Sequence, residues 1–226
     1  MSKRKAAVGA EHGLAPAPST QWISNPWRGG TGQRLGGASK PDLVVRGRRA
    51  LEWALASEPG IPHVCVVPET VTVPSDVIRV MEEPPRSGPA AGFIAGVQAL
   101  LKVLPEDTES RWIGLVPVDA PLATLTFPLL LEAVEESISQ GHHVDGVLAC
   151  AAGHRQNLIG VFSLDAVRNF TVSQWVNRSM RDLLKELDTI NVEVPESWVA
   201  DIDTPSDLLR AQLAENGDDY EQTQEG

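Results

Sequence analysis

The 226-residue chain reads as an α/β domain in three layers, a mostly parallel twisted sheet with helices on both faces. Three observations point there. Short runs rich in Val and Ile recur, each the length of one buried strand. Segments with apolar residues at helical spacing separate them. A hydrophobic content of 42% in a chain of this length supports one sizeable core.

In chain order, "HVCVV" (63–67), "VIRVM" (77–81), "WIGLVPV" (112–118) and "VDGVLAC" (144–150) predict buried strands. Between them, "GRRALEWALAS" (47–57), "AAGFIAGVQALLKVL" (90–104) and "TFPLLLEAVEESI" (126–138) predict helices. "SMRDLLKEL" (179–187) opens with Ser179 and Asp182 at capping-box spacing. "WVADID" (198–203) predicts a short strand ending in a carboxylate, and "TPSDLLRAQLAE" (204–215) a helix with Thr204 as N-cap, Pro205 in the first turn and Asp207 at N3. Alternation of strand and helix implies parallel strands, whose ligands bind beyond the carboxyl ends.

The ends differ from this body. Residues 1–28 are expected to be a disordered or non-native segment, 29–213 the folded domain, and 214–226 an acidic disordered tail. The basic start lacks the apolar stretch of ~7–15 residues of a secretory signal. No apolar run reaches the ~18 residues of a membrane span, so no membrane association is expected. A net charge of −11 argues against nucleic acid as a partner. Cys65 and Cys150 stand far apart with no CxxC, which suggests neither a disulfide framework nor a zinc site and fits a reducing cytoplasm.

Against that acidic background, "RGGTGQRLGGASKP" (28–41) gathers cations on a pliable backbone. Lys40 follows Ser39 and precedes Pro41, so the Walker A succession is absent; counting from Gly30, the sixth position is Leu35, so the dinucleotide fingerprint fails too. What remains is a long loop in which amide groups form an anion nest, Arg34 supplies a planar fork and Lys40 a mobile charge. A merely solvated basic loop is the equal alternative on these residues alone.

The chain resembles the MobA-like nucleotidyltransferases at six places in order: "GGTGQRLGGASKP", "EEPPRSGPAAGFIAGVQALL" (82–101), "LVPVDAPLAT" (115–124), "HRQNLIGVFSLDAVRNF" (154–170), "SMRDLLKEL" and "DIDTPSDL" (201–208). The resemblance implies a Rossmann-like nucleotidyltransferase fold and transfer of a nucleoside monophosphate, GMP from GTP, onto the phosphate of a molybdopterin-type acceptor with release of pyrophosphate. It implies Mg2+ as cofactor, a cytoplasmic location and a molybdoenzyme-maturation protein as a further partner. Gly29, Gly30, Thr31, Gly32, Arg34 and Lys40 then cradle the triphosphate, with Arg34 and Lys40 compensating charge on the leaving group. Asp119, where the apolar run 112–118 ends, would hold the metal beside the nucleotide, its alternative being a cap or turn residue. Asp203 is the second candidate ligand, against a role in shaping the turn before Thr204. Glu83 stands where the family has an aspartate near the nucleotide. Gly88 would let a helix start close to phosphate or sugar, while Gly92 and Gly96 also suit a plain helix–sheet contact. Arg155, Gln156 and Asn157 face the acceptor or form an ordinary polar strand entrance.

Two departures stand out. In place of the family's aliphatic first strand the chain has "STQWISNPWRGG" (19–30), whose Pro26, Asn25, Ser24 and Arg28 do not suit a buried ladder. The first strand is therefore expected to be remodelled or lost, or residues 1–28 to be foreign to the gene. The family's guanine-contacting asparagine also has no counterpart near Pro68 and Glu69. Rival readings are transfer of cytidylate or another nucleotide to a different phosphate acceptor, and a catalytically weak homologue acting as a binding partner.

Overall fold

The computed structural model describes residues 19–25, 39–55, 62–104 and 111–213. Ser19–Asn25 is strand β1; Val44–Val45 (β2) and Arg48–Arg49 (β3) form a small hairpin leading into helix α1 (Ala50–Ala54). There follow β4 (His63–Val66), β5 (Ile78–Val80), α2 (Pro89–Leu101), β6 (Arg111–Pro117), α3 (Phe127–Ser139), β7 (Gly146–Ala151) and β8 (His154–Ser163). Three one-turn helices, α4 (Leu164–Val167), α5 (Val172–Trp175) and α6 (Met180–Leu183), precede β9 (Thr189–Glu193) and α7 (Pro205–Leu213).

The sheet has seven strands in the order β5-β4-β1-β6-β8-β7-β9. Strands β5, β4, β1 and β6 run parallel, β8 runs antiparallel to both β6 and β7, and β9 is parallel to β7. A two-residue turn at Ala152 and Gly153, both left-handed with φ of 48° and 73°, folds β8 straight back along β7. The expected three-layer, mostly parallel α/β architecture is what forms.

Alternation along each strand divides the core. Val64, Val66, Ile113, Leu115, Leu148 and Phe162 point to one face, where α2 buries Phe93, Ile94, Val97 and Leu100 against them and α4, α5 and α6 close the edge. Trp112, Val116, Val147, Ala149 and Val161 point to the other, under Leu130 and Val134 of α3. Cys65, Val67 and Val118 continue that second face beneath Leu51 of α1 and Ile202. Each fully buried large aliphatic or aromatic side chain contributes about 1.5–3 kcal/mol by leaving water. Among the described residues, no helix is long and apolar enough to cross a membrane.

Three sequence expectations need correction. The first strand is not lost, nor are residues 19–25 without structure: β1 sits between β4 and β6 and pairs with both, from Ser19↔Arg111 to Asn25↔Pro117 along β6. The strand spans Ser19–Asn25, and parallel pairing is made by backbone groups that Ser and Asn also carry. Residues 198–203 are not a strand; a 3₁₀ turn over Glu196–Trp198 gives way to irregular chain, docked by one backbone bond from Ile202 N to Asp119 O at 2.7 Å. The predicted helix at 47–57 begins only at Ala50, since Arg48 and Arg49 pair with Val45 and Val44.

Candidate functional site

The site forms where β6 ends. The apolar ladder delivers Val118 into the core and leaves the next residue, Asp119, at the carboxyl edge of a central strand, with only 3% of its side chain exposed. A carboxylate so buried needs a partner. Lys40 supplies it, with Nζ 2.9 Å from Asp119 Oδ2 and 2.6 Å from Asp203 Oδ1.

Each member is held by its own local structure. Lys40 begins a 3₁₀ turn whose Pro41 is buried, and buried Leu43 and Val45 anchor the chain that follows. Trp53 Nε1 donates to Val45 O at 2.8 Å, tying α1 to the β2–β3 hairpin. Asp203 is fixed from behind by a reciprocal helix cap. Asp207 Oδ2 accepts from Asp203 N at 3.1 Å, Thr204 N at 2.8 Å and Thr204 Oγ1 at 2.7 Å, while Asp207 N donates back to Thr204 Oγ1 at 3.2 Å. Hydrogen bonds from Thr204 and from Arg210 hold the Asp207 carboxyl at about 2. The predicted cap is thus observed, and it orients Asp203.

Electrostatics follow from the geometry. Burial by itself would lower the Lys40 ammonium, but hydrogen bonds to Asp203 and Asp119 outweigh it and hold the group above its ordinary 10.5. Two carboxylates from distant parts of the chain converge on one point, and that point already carries a cation. Such a donor set suits a divalent ion with oxygen ligands once a phosphate draws the ammonium away. Among the described residues no group of three or more His, Cys, Asp or Glu gathers to hold a metal.

A cleft of about 280 Å³ opens beside the cluster, walled by Asp119, Arg155, Asn157, Met180, Arg181 and Asp201 among others. The α2 start reaches it through Pro89. That start is locked to the α5–α6 connection by Asn177 N donating to Ser87 O at 2.6 Å. In turn α6 is capped by Ser179, whose hydroxyl accepts from Asp182 N at 3.2 Å.

Of the residues singled out by sequence, Lys40, Asp119 and Asp203 are brought together, and Arg155, Gln156 and Asn157 line the adjoining cleft. Gly29, Gly30, Thr31, Gly32 and Arg34 lie outside the described residues. Gly88 opens α2 beside the cleft residue Pro89, with its φ at 96°. Glu83 is exposed and does not line the cleft; its neighbour Glu82 is the buried carboxylate, accepting from Arg86 N at 2.8 Å. Pro84 and Pro85 turn the chain out to solvent, carrying Glu83 with them. Sequence reasoning missed Arg181.

A search of curated proteins finds no match to this sequence. Solved structures do resemble it. Molybdopterin-guanine dinucleotide biosynthesis protein A from Archaeoglobus fulgidus is 19% identical, aligned over 85% of this chain and 96% of its own, with a TM-score of 0.57. A nucleoside-diphosphate-sugar pyrophosphorylase from Vibrio cholerae is 15% identical over 85% of this chain and all (100%) of its own, at 0.54. Rv0371C of Mycobacterium tuberculosis, solved in complex with manganese, is 13% identical over 88% of this chain and 100% of its own, at 0.52. At such identities the likeness is one of fold. A model of the MobA-like NTP transferase domain matches residues 28–190, most of the chain and the stretch that contains Lys40, Asp119 and Arg155; the protein belongs to that family of nucleotidyltransferases.

Proposed function

We propose that this protein moves GMP from GTP onto the phosphate of a molybdopterin-type acceptor. An acceptor phosphate oxygen attacks the α-phosphorus in line, a new P–O–P linkage forms, the bond to the β-phosphate oxygen breaks, and pyrophosphate leaves. The observation that carries this reading is Lys40 shared between Asp119 and Asp203 at the end of β6. Lys40 follows the glycine-rich segment directly in the sequence, and its ammonium would turn from the carboxylates toward the leaving pyrophosphate. Asp119 and Asp203 would hold Mg2+, which supplies charge neutralisation at the α-phosphate when bound. Arg155, Asn157 and Arg181 line the side from which an anionic acceptor would enter, and they orient it for attack. Cytoplasmic conditions suit the two free thiols, and delivery of the product to a molybdoenzyme-maturation partner completes the proposal.

The test is a melting-temperature panel of GTP, CTP, ATP and UTP, each with and without Mg2+, followed by pyrophosphate release. Stabilisation by GTP that requires metal, with turnover lost in Asp119→Asn, is the expected result. Stabilisation by another triphosphate would replace the base in this reading. Stabilisation by none would overturn the enzymatic reading in favour of a binding partner.

A further inference from the structure

Beyond the first cleft lies a second, of about 730 Å³, which shares Arg155, Asn157 and Arg181 with it and continues past Lys185 to Thr189. Its walls carry His154, Arg155, Arg181 and Lys185 against a single carboxylate, Asp188. On a chain of net charge −11 this reverses the prevailing sign. Lys185 is already engaged, with Nζ 2.7 Å from Asp182 Oδ1. The two arginines have no carboxylate partner. Arg155 donates one guanidinium N–H to Thr189 Oγ1 at 2.6 Å, yet its Nε is buried with no hydrogen-bond partner. No carboxylate pairs with Arg155 or with Arg181 among the described residues. A buried orphan donor is costly unless a ligand satisfies it. Arginine's planar fork is shaped for two oxygens of one oxyanion.

The two clefts therefore meet at a pair of guanidinium groups without a carboxylate partner, between the cleft that Asp119 lines and the one that Thr189 lines. We propose that this junction is a second anion subsite, binding a phosphate or carboxylate of the acceptor other than the oxygen that attacks. An acceptor that fills both places is a small molecule with at least two anionic groups, its reacting phosphate in the first cleft and its second group held by Arg155 and Arg181 in the larger one; molybdopterin carries a single phosphate, so a filled subsite favours the rival reading of a different phosphate acceptor. Assigning the anion to the acceptor rests on the transferase reading above; the subsite itself does not.

The probe is inorganic phosphate, titrated into the full chain labelled with 15N while the arginine Nε–H resonances are followed. The expected result is a saturable shift of the Arg155 Nε–H signal, absent with equal chloride. In Arg181→Gln, an exposed position, phosphate should bind about tenfold more weakly, the loss of one charge-assisted contact. Asp119→Asn should leave that binding unchanged while stopping pyrophosphate release. No saturable shift at Arg155, or a phosphate affinity indifferent to Arg181→Gln, overturns the subsite and leaves the nucleotidyl reading standing. Phosphate binding with this pattern in a protein that neither binds nor turns over any triphosphate upholds the subsite and overturns the reading of it as part of a transferase.

Discussion

Lys40 is where stability and chemistry meet. Its side chain is 11% exposed and Asp119 is 3% exposed, so Lys40→Ala strands a buried carboxylate. Breaking a buried pair from one side costs roughly 3–5 kcal/mol, and the solvent reaching Asp203 pulls this case toward the lower end. Chemical denaturation should show that loss, together with abolished pyrophosphate release. Adding Asp119→Asn to Lys40→Ala should return most of the stability and none of the activity; a double variant as unstable as the single one would sink the account of a stranded charge. The pH dependence has a definite sign. Because the folded-state value of Lys40 lies above its ordinary 10.5, its contribution is complete below 10.5 and fades as pH rises through the higher folded value. Asp207 works on the opposite limb: held at about 2, it contributes above its ordinary 3.8 and loses that contribution as pH falls toward 2. Denaturation midpoints followed from pH 5 to pH 2 should therefore fall less steeply in Asp207→Asn than in the parent. The sequence disclosed both carboxylates and the lysine as separate candidates. It could not disclose their mutual contact, since a side chain 163 residues away is a neighbour only after folding.

Helix α2 shows how an element can depend on a single backbone position. It buries ten of its thirteen residues, yet opens on Gly88 at φ 96°, where an added Cβ would stand 3.2 Å from Arg178 O. Gly88→Ala combines a left-handed penalty with that backbone contact and should cost about 1–3 kcal/mol. The cost should be read from denaturation midpoints; an unchanged midpoint would mean that the α2 start tolerates a different backbone. Thr204→Ala should fray α7 at a cost of about 1 kcal/mol, visible as faster amide exchange over residues 206–208. Elements of this kind were legible when their signals were local: the caps at Ser179 and Thr204, the apolar runs of β4, β6 and β7, the long apolar stretch of α2. Those that failed were the ones decided by partners. Strand β1 gets its place from ladders on both sides, which no residue of "STQWISN" announces. The β2–β3 hairpin is two residues wide, and half-exposed β9 alternates too briefly to stand out.

At the scale of the whole molecule, one sheet with both faces covered leaves the thiols inside. Cys65 and Cys150 are free and buried, and burial pushes the Cys65 thiol up to about 12. A thiol reagent at neutral pH should therefore label neither in the native protein and both after unfolding, so labelling serves as a clock for global opening. Reaction of Cys65 under native conditions would show that the face under α1 opens on its own. The three-layer plan was legible from strand–helix alternation and size. Which strand runs backward was not, because that depends on the tight turn at Ala152 and Gly153.

The bond from Ile202 to Asp119, and the ion cluster beside it, have a consequence for the chain as it is made. A growing polypeptide exposes Lys40 early and Asp119 midway, but the third charge arrives only when almost the whole domain has emerged from the ribosome. Until then Lys40 pairs with the buried acid alone, without the second carboxylate and without the bond from Ile202. The complete ion cluster is thus acquired in one late step, and a fragment stopped short of that docking segment would carry the sheet without it.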